Sequence, residues 1–232
     1  MKILVTGATR GIGKSVAETL NGEIFATGRN EELLKKYYKK YFVADFTKND
    51  DVFALGEYIL KNDIDVIVNN AGEYIYSEID KCTAEQISEI FRVNVEVPVY
   101  LTSCAVKNMK KNNWGRIINI GSISGAVGEA NASLYSATKS AMFGFTKSLA
   151  LELAQYNITV NTINPGWVDT DLGNTSIEDS EFSKEEIIEC IPQKRFVTPL
   201  EIAKTAEYLL SENARGITGQ MINICAGLSV GG

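Results

Sequence analysis

Short apolar runs alternate with longer amphipathic stretches along nearly the whole chain. Seven runs of four or five residues, rich in aliphatic and β-branched side chains, predict strands at Lys2–Val5, Glu23–Thr27, Tyr41–Ala44, Val66–Asn69, Arg116–Ile120, Thr159–Ile163 and Gln220–Ile224. Several are continuously apolar, as strands covered on both faces are. Helical patterns fall between them, at Gly13–Leu20, Glu31–Tyr38, Asp51–Lys61, Ala84–Met109 with a break, Ala132–Gln155 and Pro199–Leu210. This alternation predicts an α/β fold, a single domain over 1–232 with a doubly wound parallel sheet and helices on both faces.

The helix predicted over Ala132–Gln155 is apolar around most of its circumference. Its apolar residues are Ala141, Met142, Phe143, Phe145, Leu149, Ala150, Leu151 and Leu153. Such a helix needs cover on both sides, and the sheet of one chain supplies only one. We therefore favour a subunit interface on its outer face, and a fully buried central helix is the alternative.

Composition and charge narrow the classes of function. The chain has 232 residues, 45% of them hydrophobic and 22% charged, with a net charge of −6. An acidic chain is a poor general partner for nucleic acid, because phosphates need a basic surface. No apolar stretch approaches the roughly 18 residues of a membrane helix, and the apolar run at the N-terminus is too short for a signal peptide. We expect a cytoplasmic protein with no nucleic-acid or membrane partner.

Histidine is absent, and the cysteines form no metal-binding pattern. The four cysteines are far apart, at Cys82, Cys104, Cys190 and Cys225. We expect reduced thiols and no metal site, because zinc-ligand spacing is missing. Without histidine a Ser-His-Asp triad is excluded, so proton chemistry must use tyrosine, lysine, cysteine or a carboxylate.

A glycine-rich loop follows the first predicted strand and opens the first predicted helix. It reads Thr6-Gly7-Ala8-Thr9-Arg10-Gly11-Ile12-Gly13. Glycines let the backbone approach a pyrophosphate, and the helix N-terminus offers free N–H groups and a positive dipole end. The spacing is G-x3-G-x-G rather than G-x-G-x-x-G, and a tight strand-to-helix turn is the alternative. The position after the first strand favours a dinucleotide site that Gly7, Thr9, Arg10, Gly11, Ile12 and Gly13 would contact.

The end of the second predicted strand indicates which dinucleotide is bound. Folds that bind NAD place an acidic residue about 20 residues after the glycines, on the ribose 2′-OH. Here the acid is missing and Arg29 stands beside its place. Arginine pairs bidentately with a phosphate, and Arg10 would add a second cation, so we predict NADP(H). Two solvated surface arginines are the alternative.

Tyr135 and Lys139 lie four residues apart near the start of a predicted helix. Residues at this spacing share a helix face, so the phenol and the ammonium would project together. Lowering a phenol pKa from ~10 to ~7 requires about 4 kcal/mol, and a lysine cation ~4–5 Å away supplies roughly that amount. The pair therefore makes an acid/base without histidine, although such a pair alone is often ordinary helix surface.

Six motifs follow one another in a fixed order along the chain. They are Thr6–Gly13, Asn69–Gly72, Asn94, Ile120–Ser122, Tyr135–Lys139 and Asn164–Gly166, and Ser122 precedes Tyr135 by thirteen residues. In these motifs the chain resembles the short-chain dehydrogenase/reductase family over essentially its whole length. The resemblance implies a Rossmann domain of about seven parallel strands, NADP(H) as cofactor, and a homo-oligomer, either tetramer or dimer.

The resemblance also implies roles for individual residues. Tyr135 would donate a proton to a substrate carbonyl, and Ser122 would hydrogen-bond the same oxygen. Lys139 would lower the Tyr135 pKa and hold the nicotinamide ribose, and Asn94 would anchor a water for proton relay. The other implied cofactor contacts are Asp45, Phe46, Asn70, Ala71, Gly72, Pro165, Gly166, Val168 and Thr170.

The closest subgroup by motif is the 3-oxoacyl-acyl-carrier-protein reductases, which implies an acyl-thioester or other small carbonyl substrate. Besides Ser122 and Tyr135, the candidate substrate residues are Ile123, Trp167, Leu172 and Phe182, and the predicted lid covers about 167–195. Alternatives are an alcohol, sugar or secondary-metabolite dehydrogenase of the same family, and a non-catalytic NADP(H) sensor.

Three features differ from what we expect of that subgroup. Asn113 and Tyr156 stand where the subgroup carries basic residues for its carrier protein, and the stretch Glu73–Tyr76 departs from its pattern. The lid is also acidic, with Glu178, Asp179, Glu181, Glu185 and Glu186. Like charges would slow docking of an acidic carrier. The alternative is that these acids cap the lid helix and face solvent.

Overall fold

The computed structural model describes residues 1–170, 173, 177 and 182–230. Its strands are β1 Lys2–Thr6, β2 Glu23–Gly28, β3 Lys40–Val43, β4 Val66–Asn69, β5 Gly115–Ile120, β6 Ile158–Pro165 and β7 Met221–Ile224. They form one parallel sheet in the order β3-β2-β1-β4-β5-β6-β7. The predicted parallel sheet is confirmed.

The helices of the described residues connect these strands. They are α1 Gly11–Thr19, α2 Glu31–Tyr37, α3 Asn49–Asn62, α4 Ala84–Phe91, α5 Val97–Asn112, α6 Ser124–Val127, α7 Ser133–Leu153, α8 Lys184–Cys190 and α9 Pro199–Leu210. The predicted break in the long helix is a π-helical turn, Arg92–Glu96, between α4 and α5. None of the described helices has the length and apolar character that crossing a membrane requires.

Alternate side chains of β1 enter two hydrophobic clusters on opposite faces of the sheet. Ile3 and Val5 join the cluster that contains apolar residues of α1 and α9. Leu4 joins the other, with residues of α3 and α5. Because all three side chains are inaccessible to solvent, the strand is covered on both faces, as its apolar sequence predicts.

The direction of strand addition reverses between β1 and β4, which are neighbours in the sheet. The loops that leave the carboxyl ends of these two strands therefore turn toward opposite faces. In doubly wound sheets, ligands bind in the crevice that this divergence opens.

The outer face of α7 is uncovered in the single chain. Met142, Ala150 and Leu153 are buried against the sheet, whereas Leu151 on the opposite face is 84% exposed. Ala141 on that outer face is exposed as well. A fully buried central helix is therefore excluded, and the outer apolar face needs another partner or faces water.

Candidate active site

One cavity of about 670 Å³ lies along the carboxyl ends of the strands. It brings together nearly all the residues that the sequence predicts as cofactor or substrate contacts. Those lining it are Gly7, Thr9, Arg10, Gly11, Ile12, Arg29, Asp45, Phe46, Asn70, Ala71, Gly72, Ser122, Ile123, Tyr135, Lys139, Pro165, Gly166, Trp167, Val168 and Thr170. Gly13 and Asn94 are not among the lining residues. Leu172 lies outside the residues that the structure describes.

In the glycine loop, the backbone at Gly7 and the backbone at Gly13 lie close together. Gly7 has a φ of +65°, and a Cβ on Gly13 would lie 2.3 Å from the Gly7 carbonyl oxygen. The Asn70 side-chain amide donates to the carbonyl oxygens of Thr6 (2.9 Å) and Gly7 (3.3 Å). No side chain caps the first turn of α1, which also carries no acidic residue. The backbone N–H groups of this first turn therefore suit a phosphate bound in the cavity.

Arg29 follows β2 and its side chain lines the cavity. Its charge acts on Asp45, whose carboxylate accepts hydrogen bonds from the backbone N–H and hydroxyl of Thr47. Burial alone would raise the pKa of Asp45, but the bonds from Thr47 and the charge of Arg29 outweigh burial and lower it. The positive charge at this end of the cavity fits the 2′-phosphate of NADP(H).

Asn94 lies in the π-helical turn and is buried behind the cavity wall. Its Oδ1 accepts from the backbone N–H of Glu73, and its Nδ2 donates to the Glu73 carbonyl oxygen, both at 2.8 Å. Nδ2 also donates to Thr138 Oγ1 on α7 at 3.1 Å. The side chain thus joins the segment after β4 to α7. Such turns often occur at functional sites, and the water relay stays a prediction.

Tyr135 and Lys139 occupy one face of α7, and Tyr135 is the third residue of that helix. The Lys139 Nζ lies 5.4 Å from the centre of the Tyr135 ring. The same Nζ donates to the carbonyl oxygen of Ile120, at the end of β5, over 3.0 Å. The ammonium is therefore anchored to the sheet and faces the ring of the tyrosine.

Burial of both side chains opposes the predicted lowering of the Tyr135 pKa by Lys139, and that lowering stays a prediction. Burial raises the pKa of Tyr135 to about 12, a hydrogen bond with Ser122 acts in the opposite direction, and the charge of Glu129 raises it further. Burial also lowers the pKa of Lys139 to about 8. Lys139 is buried and Tyr135 is half-buried in the cavity wall, and desolvation disfavours the charged form of each. The neutral phenol is the form of Tyr135 that can donate a proton.

Sequence reasoning missed three residues that form a hydrogen-bonded chain with Ser122, namely Ser124, Glu129 and Tyr74. The Ser124 hydroxyl donates to Glu129 Oε2 (2.7 Å) and lies 3.1 Å from the Ser122 hydroxyl. The Tyr74 hydroxyl donates to Glu129 Oε1 over 2.7 Å. The sequence carries one signal for this group, because Glu129 is the only charged residue between Ser122 and Lys139.

The predicted substrate wall is present in part. Ile123 is buried in the wall, and Trp167 stacks on Phe196 with ring centres 6.1 Å apart. Phe182 is 60% exposed and does not line the cavity, so its predicted place in the pocket is wrong. Among the described residues, Ile123 and Trp167 therefore form the apolar part of the predicted substrate wall.

Some acidic lid residues serve a structural purpose. Ser183 and Glu186 form a capping box at the start of α8, which agrees with the capping alternative for Glu186. Glu178, Asp179 and Glu181 lie outside the described residues.

Comparison with known proteins identifies relatives that match nearly the whole chain. A family model described as Enoyl-(Acyl carrier protein) reductase matches residues 7–229. The chain is 34% identical over 237 residues to the 3-oxoacyl-(acyl-carrier-protein) reductase FabG of Buchnera aphidicola subsp. Baizongia pistaciae (strain Bp), covering 97% of this chain and 96% of the relative. It is 35% identical over 240 residues to FabG of Aquifex aeolicus (strain VF5), with the same coverage.

A solved structure is also similar. A single-residue variant of the actinorhodin polyketide ketoreductase, in a crystal structure with NADPH, superposes with a TM-score of 0.93 at 32% sequence identity. The match covers 99% of this chain and 97% of the ketoreductase. The likeness therefore extends over the whole described fold, including the loops that surround the cavity.

Proposed function

The chain belongs to the short-chain dehydrogenase/reductase family, and from this premise we propose that it reduces a ketone to a secondary alcohol with NADPH. The observation that carries the proposal is that Ser122, Tyr135 and Lys139 line the same cavity as the glycine loop. In the proposed reaction these three side chains would act as the acid, the hydrogen-bonding hydroxyl and the cation, beside the cleft that would hold the cofactor.

The residues present fit NADP(H). The glycine loop and the uncapped N-terminus of α1 would hold the pyrophosphate, and Arg29 with Arg10 would hold the 2′-phosphate. Asp45 and Asn70–Gly72 would line the adenosine side, and the segment after β6 would line the nicotinamide side. When bound, the cofactor supplies the hydride.

The protein's own residues would handle the proton. Tyr135 would donate its phenolic proton to the substrate carbonyl oxygen as negative charge develops there, and Ser122 would stabilise that charge by a hydrogen bond. Lys139 would hold the ribose, and its charge would stabilise the phenolate that remains after the proton is donated. Asn94 binds the backbone of Glu73 and Thr138 of α7. It would thereby hold the segment after β4 against the helix that carries Tyr135.

For the substrate we propose a 3-oxoacyl thioester, the class that the names of the curated relatives give. The apolar side chains of Ile123 and Trp167 suit an acyl chain. A hydroxylated ketone is the second candidate, because Tyr74 and Glu129 add polar groups to the lining of the cavity.

We also propose a homo-oligomer, tetramer or dimer, that buries the outer face of α7. The exposed Leu151 and the apolar residues around it supply the contact. Covering such a surface is the usual way an apolar helix face escapes water.

A panel of substrates tests the proposed reaction. NADPH oxidation is followed at one protein concentration with acetoacetyl thioesters, free 3-ketones, cyclic diketones and hydroxylated ketones in parallel. Turnover of thioesters in preference to the others supports the acyl substrate, and turnover of hydroxylated ketones alone supports the second candidate. No NADPH oxidation with any ketone, from a protein that binds NADPH, would reject the proposed function in favour of a cofactor sensor.

A further inference from the structure

A chain of hydrogen bonds runs from Ser122 to Tyr74, whose ring packs against the proposed proton donor Tyr135. It starts at Ser122, whose Oγ accepts from the Ser124 backbone N–H and bonds the Ser124 hydroxyl, each over 3.1 Å. It continues from Ser124 Oγ to Glu129 Oε2 and from Glu129 Oε1 to the Tyr74 hydroxyl, each over 2.7 Å. Both oxygens of the Glu129 carboxylate are thus engaged by hydroxyl donors.

The far end of this chain contacts the proton donor. The ring of Tyr74 packs edge-on against the ring of Tyr135, with centres 4.9 Å apart and planes at 73°. Glu129 is therefore connected to Ser122 through one serine and to Tyr135 through one tyrosine.

The loop that carries Glu129 is tied to the segment that carries Tyr74. The backbone N–H of Ser77 donates to the Asn131 carbonyl oxygen over 2.6 Å, and the Asn131 side-chain amide donates to the Tyr76 hydroxyl over 3.1 Å. The departure of Glu73–Tyr76 from the subgroup pattern has a physical reason here, because two of its tyrosines bind this loop.

We propose that Glu129 is a positioning residue for proton transfer, which holds Ser122 through Ser124 and Tyr135 through Tyr74 and keeps a negative charge beside the donor phenol. The inference rests on the proposed function for the meaning of that proton transfer.

Among the residues that the structure describes, no lysine or arginine forms an ion pair with Glu129. The titratable groups that face Tyr135 are Lys139 from α7, Tyr74 from the segment after β4 and Glu129 from the loop, with Tyr76 behind Tyr74. Burial and then the bond to Glu129 raise the pKa of Tyr74, so Tyr74 remains a donor.

Removing the charge of Glu129 should lower the pKa of Tyr135. That negative charge disfavours the phenolate and raises the pKa of Tyr135, adding to the effect of burial. Glu129→Gln keeps the shape of the side chain and removes the charge. The Tyr135 phenol should then lose its proton at lower pH, by roughly half a unit to one unit.

Two measurements on the full chain test this. In protein labelled with carbon-13 at the tyrosine ζ position, the NMR signal of Tyr135, assigned by its absence in Tyr135→Phe, is titrated from pH ~7 to ~11.5, a range chosen around the ordinary phenol pKa. The onset of titration should lie at lower pH in Glu129→Gln than in wild type. In parallel, the alkaline fall of NADPH-dependent ketone reduction should also begin at lower pH in the variant. The NMR titration requires no turnover, so it remains informative if the proposed function fails.

Two control variants separate charge from structure. Ser124→Ala removes the link to Ser122 but keeps the charge of Glu129, so the reduction rate should fall roughly tenfold with the Tyr135 titration close to that of wild type. Glu57→Gln removes an exposed carboxylate of α3 and should change neither. A Tyr135 titration in Glu129→Gln that is unmoved, or moved to higher pH, overturns the inference. Equal movement in Glu57→Gln overturns it as well.

Discussion

Replacing Gly13 by alanine tests the glycine loop with a single methyl group. The new Cβ would lie 2.3 Å from the Gly7 carbonyl oxygen and 2.4 Å from Asn70 Nδ2, whereas real Cβ contacts under 3.0 Å essentially never occur. The loop must therefore open by at least about 0.7 Å at this point. The Asn70 amide must also leave the carbonyl oxygens that it binds.

This displacement has a predictable magnitude. Forcing a methyl group into packed backbone costs about 1–3 kcal/mol, equivalent to roughly 5- to 150-fold in an equilibrium constant. We expect the free energy of unfolding of Gly13→Ala to fall by about that amount. The Kd for NADPH should rise at least about tenfold, because the N–H groups of the loop move away from the phosphate position.

NADPH fluorescence titration measures the affinity, and urea unfolding followed by circular dichroism measures the stability. Gly216→Ala is the matched control, since a Cβ at Gly216 meets no atom within 4 Å. It should leave both quantities near wild type. A Gly13→Ala protein that is folded and binds NADPH with the wild-type Kd would refute the role assigned to the loop.

Three further predictions address the cofactor, the stability and the assembly. Arg29→Glu should weaken NADPH binding about tenfold or more by titration, because a charge-assisted bond is lost, while NADH binding changes little; equal losses for both cofactors would contradict the assignment. The hydrogen bond from Arg195 and those from Thr198 lower the pKa of Glu201 to about 2, so its contribution to stability is present above the unfolded carboxyl pKa of ~4.3 and is lost as pH falls toward ~2. Acid unfolding of Glu201→Gln should therefore depend less on pH between about 5 and about 2 than that of wild type, and an unchanged dependence would contradict this. Leu151→Glu should convert the proposed oligomer to smaller species in light scattering, and an unchanged mass would contradict an interface at this face of α7.

Much of the scaffold could be predicted from the sequence because its signals are local. The continuous apolar run of β1, the glycines after it and the four-residue spacing of Tyr135 and Lys139 each act within a few residues. Helix and sheet periodicity convert such spacing into faces and ends of elements. Local signals of this kind were sufficient to predict most of the residues that line the cavity, although these residues lie in loops that follow different strands.

The Glu129 group could not be predicted, because its bonds join distant parts of the chain. Tyr74 and Glu129 are 55 residues apart, and no periodic pattern relates them. Glu129 stood out only as a lone charge in a short loop of small residues. Its partners depend on how the segment after β4 folds over that loop.

The ionisation of the Tyr135–Lys139 pair also could not be read from spacing. Spacing gives the separation of two charges, but their pKa values depend as well on how much water each loses. Lys139 is only 6% exposed and donates to a main-chain carbonyl oxygen rather than to the phenol. Burial therefore dominates the pKa of both groups, in opposite directions.

The most direct test of the proposed mechanism is the activity of Tyr135→Phe. The ring and its packing against Tyr74 remain, and only the hydroxyl is removed. With the best ketone of the panel, we expect the rate of NADPH oxidation to fall by about 10²–10⁴-fold, the contribution of a general acid, while the Kd for NADPH stays near wild type. A Tyr135→Phe protein that retains a substantial fraction of the wild-type rate would contradict the role of Tyr135 as proton donor.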